Sequence, residues 1–488
     1  MGHHGLSQVT ILENLADTKT PKMGLDWRER SYLLVFFDVL ALCVSLILSF
    51  WWTSRDVYEL VVVKPYWFAT FILSWFCVTT VMQSYDMKRC FGIRSVFETA
   101  LAASIASMVY QWVPLPFITP TFPGRRLYIL CLPIVSFTLI YIWRFTYARI
   151  FSQMMFKRRL LVVGAGRAGE TLVAQLKTYD KDQAGDGSCF QVLGFVDDKP
   201  EMADKSVHGL SVLGSSRDLA SLVAQLKPDE IVIAITNLEA ISNELFQAVI
   251  HCRATGSVVT TMATVYERLT AKIPLRHVGR NLQVLLPLER DPIYRLYVLL
   301  KRVSDVFFAI TGITIMLFLA PIIWILNRIN SPGPLMFSQE RVGLMGKHYT
   351  VYKFRTMNVD AEKHGAQWAG ERDPRITRHG HFMRKTRIDE LPQMVNVLFG
   401  EMTLIGPRPE RPQFVAQLEK EIPFYSLRHA HKPGLSGWAQ VNYPYGASVE
   451  DSFQKLQYDL YYIKHQGFLL DTQIILRTIN VVLGLKGR

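Results

Sequence analysis

Long apolar runs dominate the first third of the chain. They cover residues 31–52, 66–83, 97–118 and 127–150. Each run approaches the roughly 20 residues that a helix needs to cross the apolar part of a bilayer. The pattern therefore predicts four transmembrane helices over residues 31–152, with a helical bundle buried in a soluble protein as the weaker alternative. Before them lies a polar tail of residues 1–30, and we expect no cleavable signal peptide because the first run is too long for one.

Positive charges indicate how these helices are oriented. They cluster in the tail, in the loop after the second run and after the fourth run, at Lys19, Lys22, Arg28, Arg30, Lys88, Arg89, Arg94, Arg149, Lys157, Arg158 and Arg159. Because Lys and Arg accumulate on the cytoplasmic side of a membrane, these three regions are predicted to lie there. Four crossings then return the chain to the cytoplasm.

The pattern changes at residues 158–280, where short strand-like runs alternate with helix-like segments. The first run leads into a G-x-G-x-x-G sequence over residues 164–169, in a strand–turn–helix context. This order predicts a Rossmann-like, doubly wound α/β domain with a parallel sheet. A dinucleotide site also needs an acidic residue about 20 positions after the glycines, and Asp197 and Asp198 come later. We therefore expect a structural or regulatory domain and no bound NAD.

A fifth apolar stretch, residues 303–328, is long enough to cross a membrane but contains Pro321. Proline removes one helical hydrogen bond and bends a helix. The flanks are basic on both sides, at Lys301, Arg302 and Arg328. We therefore predict a re-entrant helix–break–helix hairpin that enters and leaves on the cytoplasmic face, with Asp305 near a flanking cation. A kinked fifth span is the alternative.

The composition agrees with a membrane protein that binds phosphate. The 488 residues are 50% hydrophobic and carry a formal net charge of +13. A basic protein can bind nucleic acid, an anionic membrane surface or phosphorylated substrates, and the apolar runs favour the last two. The six cysteines form no C-x-x-C pair, which argues against a zinc site or a disulfide framework.

Candidate chemistry lies in residues 295–488. Six fixed cations and one acid occur between residues 372 and 387, and Asp389 and Glu390 follow directly. Arginine binds phosphate oxygens through a planar set of donors. Adjacent helical residues do not share a face, so the two carboxylates suit different roles. One could attack phosphorus and the other could hold Mg²⁺. For an isolated Asp-Glu pair, a solvated ion-pair cluster is the alternative.

Further short motifs surround the acid pair in a fixed order. They are Lys353-Phe354-Arg355-Thr356-Met357, Gly406-Pro407-Arg408-Pro409-Glu410 and the segment of residues 432–442 that contains Gln440. With these motifs, residues 299–488 resemble the bacterial polyprenyl-phosphate sugar-1-phosphate transferases. The preceding membrane and Rossmann-like regions resemble the long, polytopic form of that family.

The resemblance implies a re-entrant-helix α/β catalytic domain facing the cytoplasm from the bacterial inner membrane. It implies transfer of hexose 1-phosphate, with glucose expected before galactose, from a UDP-sugar to undecaprenyl phosphate with release of UMP. This is the first membrane step of exopolysaccharide or capsule synthesis. The expected partners are these two substrates and the lipid bilayer, without nucleic acid; a homodimer stays open.

The resemblance also implies residue roles. Asp389 becomes the nucleophile of a covalent sugar-phosphate intermediate, and Glu390 supports Mg²⁺, or Mn²⁺ in its place, so both are candidate metal ligands. The expected substrate-binding residues are Lys353, Arg355, Arg375, Arg378, Arg384, Arg387, Arg408 and Gln440. The family's hairpin breaks at a Ser-Pro pair, whereas this chain has Ala320-Pro321.

Two other functions compete with this hypothesis. The glycine motif is also compatible with a membrane-tethered, NAD-dependent nucleotide-sugar epimerase or dehydratase. Such enzymes usually carry a Tyr-x-x-x-Lys pair, and neither Tyr179 nor Tyr266 in residues 158–280 provides one. A noncatalytic scaffold would not need the acid pair with its arginines. The amphipathic residues 469–485 fit either a membrane-interface helix or a core helix.

Overall fold

The computed structural model describes residues 27–53, 66–82, 84–85, 93–112, 127–151, 158–182, 190–203, 205–237, 241–278, 282–285, 293–361, 373–444, 446 and 448–483. The chain divides into two units, of which the first ends at Leu269 and the second begins at Thr270.

The described part of the first unit opens with four helices: α1 (Trp27–Thr53), α2 (Tyr66–Met82), α3 (Ile93–Trp112) and α4 (Leu127–Phe151). They share a core that includes Leu46, Trp75 and Tyr110. Within the described part of the chain, α1 and α4 are long and apolar enough to cross a membrane, whereas the apolar segment of α2 is shorter. Helices thus form at all four predicted positions. However, α3 is less apolar, and α2 is shorter, than a membrane-spanning helix needs to be.

Buried polar contacts join these helices. The Arg144 guanidinium of α4 pairs with Asp38 of α1 and also donates to the Ser84 carbonyl at 3.1 Å. The Ser45 and Ser136 hydroxyls form a hydrogen bond at 3.0 Å. Because charged groups in an apolar environment need partners, the Asp38–Arg144 pair fixes how α1 and α4 pack.

The rest of the first unit is a six-stranded sheet with the order β3-β4-β2-β1-β5-β6. Its strands are β1 (Arg158–Val163), β2 (Phe190–Val196), β3 (Ser206–Val207), β4 (Leu210–Gly214), β5 (Glu230–Ile233) and β6 (Val258–Thr261). Among the described strands, the edge strand β3 pairs with β4 in the antiparallel direction, and the other pairs are parallel.

Helices cover both faces of this sheet. They are α5 (Arg167–Asp182), α6 (Leu219–Leu226), α7 (Asn243–Ala254) and α8 (Met262–Thr270). Alternate residues of a strand face opposite sides, and accordingly Leu160 of β1 packs with α5 and α8 while Leu161 packs with α6 and α7. This two-sided arrangement agrees with the predicted α/β domain.

The glycine motif forms the turn between β1 and α5. Gly164 has a φ of +102°, and a Cβ atom on Gly169 would lie 2.2 Å from the Gly164 carbonyl oxygen. Asp197, directly after β2, accepts a hydrogen bond from the Ala165 amide at 2.7 Å. Asp197, which follows β2, therefore stabilises the glycine turn through its carboxylate.

Among its described residues, the second unit has eight further α-helices and two short two-stranded sheets. The helices are α9 (Leu282–Leu285), α10 (Ile293–Asn330), α11 (Arg378–Thr386), α12 (Met394–Phe399), α13 (Pro412–Glu421), α14 (Trp438–Asn442), α15 (Val449–His465) and α16 (Phe468–Leu483). The strands are β7 (Met336–Val342), β8 (His348–Phe354), β9 (Thr403–Ile405) and β10 (Gly434–Ser436). β7 and β8 form an antiparallel hairpin, and β9 pairs with β10 in parallel.

The main core of this unit joins its C-terminal helices to the segment after α8. Ile273 and Leu275 pack there with Leu460 of α15 and Ile474 of α16. Residues 271–278 therefore belong to the second unit, although the sequence pattern extended the α/β domain to residue 280. In the described part of α16, Asp471 and Ile474 are buried against this core, whereas the apolar side chains of Phe468, Leu469, Ile475 and Ile479 are exposed.

The long helix α10 requires a correction. The predicted helix–break–helix is wrong as to the break, because the 38 residues of α10 remain helical through Pro321. Proline removes a single helical hydrogen bond, and residues on both sides of it, Met316 and Ile323, are held by packing against Phe354 and Met383. Residues 294–329 are long and apolar enough to cross a membrane.

Candidate functional site

Asp389 and Glu390 lie in a 3-10 helix, Ile388–Gln393, that directly follows α11. Arg387 joins the two helices and has a left-handed backbone conformation, with a φ of 59°. This conformation ends α11 and turns the chain. Asp389 and Glu390 are only 7% and 6% exposed, so the acid pair is not the solvated ion-pair cluster considered as an alternative.

Three cations converge on Glu390. Lys353 Nζ and an Arg408 guanidinium nitrogen lie 3.2 and 3.1 Å from its Oε1, and an Arg387 nitrogen lies 3.1 Å from its Oε2. They come from β8, from the loop after β9 and from the end of α11. Burial favours the neutral acid, but these cations outweigh it and hold the pKa of Glu390 well below its usual range.

Asp389 has a different environment. Its Oδ1 is buried and has no hydrogen-bond partner among the residues that the structure describes. Burial and the adjacent charge of Glu390 raise the pKa of Asp389 to about 6, against the opposing charges of Lys353, Arg384 and Arg387. At neutral pH this carboxylate is mainly ionised yet poorly solvated, which suits a nucleophile.

Four of the predicted substrate-binding cations therefore surround the acid pair: Lys353, Arg384, Arg387 and Arg408. Three of them contact Glu390 directly. Arg384 acts on Asp389 through its charge, and its Nε donates to the Thr356 hydroxyl at 3.0 Å. Together they form a cationic rim that can bind phosphate oxygens while the two carboxylates keep separate roles.

For the other predicted substrate-binding residues, the described contacts are with groups outside the acid pair. Arg355 is buried and donates to the Ser331 hydroxyl and the Pro334 carbonyl, both at 2.8 Å, so it holds the end of α10. Arg375 pairs with Asp373 at 2.6 Å. Arg378 and Gln440 complete this group: Arg378 is exposed in the first turn of α11, and the Gln440 amide donates to the Leu435 carbonyl at 3.4 Å.

The polar residues at the start of α10 attach it to the second unit. Lys301 Nζ lies 2.7 Å from Asp471 Oδ2. Arg302 donates to the Val397 and Leu398 carbonyls at 2.8 Å each, at the end of α12. Asp305 accepts the Leu404 amide at 3.0 Å. It also lies close enough to Lys301 and Arg302 to feel their charges, as predicted, although both cations bind other groups.

Sequence reasoning missed Arg428, which is buried and contacts the Arg408 segment. One of its guanidinium nitrogens donates to the Arg408 carbonyl at 2.8 Å and to Asp459 Oδ2 at 2.9 Å. Arg428 stands outside the recognisable motifs, and its acidic partner is 31 residues away. No local pattern could have indicated this contact.

The donor set around the acid pair limits how a cation could be held. Within the described ranges, no three His, Cys, Asp or Glu side chains group into a metal site. Both oxygens of Glu390 already face cations, whereas Asp389 Oδ1 is buried and unpartnered. A hard cation such as Mg²⁺ commonly takes one carboxylate together with phosphate oxygens and water. Asp389 fits that role better than Glu390.

A buried carboxylate inside a cationic rim, in a unit that carries a long apolar helix, is an arrangement that can bind phosphorylated groups. Residues 296–485 match the family model described as bacterial sugar transferase. A Bacillus subtilis (strain 168) protein named putative undecaprenyl-phosphate N-acetylgalactosaminyl 1-phosphate transferase is 52% identical over 132 residues, which cover 74% of that protein and 27% of this chain. The chain belongs to the bacterial sugar transferase family.

Other relatives match over a smaller share of their length. An Aeromonas hydrophila UDP-N-acetylgalactosamine-undecaprenyl-phosphate N-acetylgalactosaminephosphotransferase is 40% identical over 53% of this chain and 61% of its own. A Xanthomonas campestris pv. campestris UDP-glucose:undecaprenyl-phosphate glucose-1-phosphate transferase is 46% identical over 33% of this chain and 34% of its own. The chain thus spans a third to three fifths of these two proteins.

Proposed function

We propose that the protein transfers hexose 1-phosphate from a UDP-sugar to undecaprenyl phosphate and releases UMP, as the first membrane step of exopolysaccharide or capsule synthesis. The observation that carries this proposal is the unpartnered, buried Oδ1 of Asp389 beside Glu390, which gathers three cations. The names of the relatives support the same reaction type.

The reaction would proceed in two displacements at one phosphorus. Asp389 attacks the phosphorus atom that carries the sugar. The bond between this phosphorus and the UMP oxygen breaks, and UMP leaves. An oxygen of undecaprenyl phosphate then attacks the same phosphorus and releases the Asp389 carboxylate. Lys353, Arg387 and Arg408 neutralise the phosphate oxygens in both steps, and Glu390 keeps these cations in place.

We further propose that Asp389 and the substrate phosphates hold Mg²⁺, or Mn²⁺, which would reduce the repulsion between the anionic substrates. Glu390 supports the metal indirectly, because its oxygens bind Lys353, Arg387 and Arg408. We expect turnover to stop in excess EDTA and to return when Mg²⁺ is added. Full activity in EDTA contradicts this part of the proposal.

The donor sugar is tested with a panel of UDP-sugars. Glucose is the first expectation, whereas the Bacillus subtilis and Aeromonas hydrophila relatives are named for N-acetylgalactosamine. Purified protein with undecaprenyl phosphate and Mg²⁺ is therefore incubated with UDP-glucose, UDP-galactose and UDP-N-acetylgalactosamine. UMP should appear in step with lipid-linked sugar phosphate for at least one donor. NAD-dependent conversion of the UDP-sugar to its epimer or to a dehydrated sugar, without release of UMP, would instead support the epimerase or dehydratase.

We also propose that the protein lies in the bacterial inner membrane with its second unit in the cytoplasm. Nucleotide sugars are made in the cytoplasm, and the charge distribution around the first four helices returns the chain to that side. In α10, Asp305 and Asn327 both contact the rest of the second unit, at Leu404 and His379. These contacts support a helix that lies along the unit rather than one that leaves it.

A further inference from the structure

The Arg408 segment is held from several sides. Pro407 and Pro409 flank Arg408, and proline restricts the backbone on both sides of it. The Pro407 carbonyl accepts the Gly434 amide at 2.9 Å, and the Pro409 carbonyl accepts Arg341 at 3.2 Å. The side chain of Arg408 meets Glu390 at 3.1 Å. The position of this backbone therefore decides where the Arg408 guanidinium can reach.

Between those two contacts, the Arg408 carbonyl accepts a hydrogen bond from Arg428 at 2.8 Å. The same nitrogen of Arg428 meets Asp459 Oδ2 at 2.9 Å, and its other terminal nitrogen donates to the Tyr425 hydroxyl at 2.6 Å. Arg428, Asp459 and Tyr425 are 6%, 2% and 3% exposed. We call these three residues the Arg428 cluster.

Burying the charged groups of the Arg428 cluster contributes little to the stability of the fold. Removing two opposite charges from water costs several kcal/mol per ion before their attraction offsets it, and well-packed apolar residues often do as well. What apolar residues cannot do is donate to a carbonyl. A charge-assisted bond from a rigid, planar guanidinium fixes that carbonyl in distance and direction.

We propose that Arg428 is a positioning residue for the transfer reaction: together with Asp459 and Tyr425, it holds the Arg408 backbone so that the Arg408 side chain meets Glu390. The inference rests on the proposed function. Arg428 binds no substrate in this scheme and acts only through Arg408. Because a misplacement of about 1 Å in a catalytic site can cost about 100-fold in rate, small changes in the cluster should be measurable.

The diagnostic substitution is Arg428→Lys, which keeps the charge but cannot reach Tyr425, Asp459 and the Arg408 carbonyl together. With the full-length protein, we expect kcat/KM for UMP release to fall about 10- to 100-fold. Tyr425→Phe removes one contact of Arg428 and keeps the ring. It should give a smaller loss in the same direction, and it serves in place of Arg428→Lys if that variant does not fold.

A double-mutant cycle with Arg408→Ala tests whether Arg428 acts through Arg408. The expected result is that Arg428→Lys, or Tyr425→Phe, causes no further loss once Arg408 is alanine. Arg158→Lys is a matched control, because Arg158 contacts the buried Glu230 at 3.3 Å in the first unit. This control can change thermal stability but should leave kcat/KM unchanged.

The outcomes separate two failures. Losses that multiply in the double variants contradict the positioning role, and so does wild-type kcat/KM in Arg428→Lys. Both results leave the proposed function intact. A wild-type protein that releases no UMP with any donor contradicts the proposed function, and this inference falls with it.

Discussion

The neighbouring carboxyl groups of Asp389 and Glu390 have different pKa values. Burial raises the pKa of both, but direct contacts with cations lower that of Glu390. Glu390 faces three cations at 3.1 to 3.2 Å and its pKa is low, whereas the pKa of Asp389 is raised to about 6. Asp389→Asn keeps the shape of the side chain but removes the nucleophile. We expect it to lower single-turnover formation of the lipid product by several powers of ten. Formation at a near wild-type rate contradicts the assignment of Asp389.

The same variant should stabilise the fold. A carboxyl group whose pKa is higher in the folded than in the unfolded state loses folding stability as the pH rises through the folded value. The rise from 3.8 to about 6 at Asp389 corresponds to at most about 3 kcal/mol. Asp389→Asn should therefore unfold at a higher temperature than wild type above pH 7, and the difference should shrink between pH 6 and pH 4. A constant difference over this range contradicts the raised pKa.

Glu390→Gln should act in the opposite direction on stability. It leaves Lys353, Arg387 and Arg408 without their shared counter-charge, and breaking a buried ion pair typically costs about 3–5 kcal/mol. Thermal unfolding at pH 7.5 should show a clear loss of stability together with a lower transfer rate. A lower rate at unchanged stability would indicate that Glu390 binds the metal or the substrate directly.

At the scale of single elements, the glycine turn of the first unit offers a matched pair of variants. A Cβ atom on Gly169 would lie 2.2 Å from the Gly164 carbonyl oxygen, whereas one on Gly166 meets no described atom within 4 Å. We expect Gly169→Ala to lower the unfolding temperature and Gly166→Ala to leave it nearly unchanged, with wild-type KM for the donor in both. Loss of transfer in a stably folded Gly166→Ala protein would reveal a ligand at this turn.

Sequence patterns predicted the helices and strands better than they predicted the contacts of individual side chains. Periodicity and apolar length indicated the helices of the first unit, the parallel sheet and α10, because each pattern reflects local geometry. The motif containing Lys353 and Arg355 indicated two phosphate ligands, but β8 ends at Phe354 and Arg355 turns toward the end of α10. Asp305 finds Leu404, 99 residues away, and such contacts leave no local signal.

At the scale of the whole molecule, α10 is the described element of the second unit that is long and apolar enough to contact a membrane. If straight, its 38 residues would extend about 57 Å, against about 30 Å for the apolar part of a bilayer. One side of the helix packs on the second unit, with Asp305, Ala309, Met316, Ile323 and Asn327 buried. Other side chains are apolar and exposed, among them Phe307, Leu317, Phe318, Ile322 and Ile329.

This division predicts that the continuous helix α10 lies along the cytoplasmic face of the membrane, with its exposed apolar side toward the lipid and both of its ends on the cytoplasmic side. A crossing would place Leu404 and His379, which contact Asp305 and Asn327, on opposite sides of the bilayer within one folded unit. Single cysteines at positions 298 and 332, in a protein lacking the six native cysteines, should both resist an impermeant thiol reagent in intact cells and react after permeabilisation. A cysteine at position 59, predicted outside, is the positive control. Labelling at 332 but not at 298 in intact cells would establish a crossing, because only then would the two ends of the apolar stretch face different compartments.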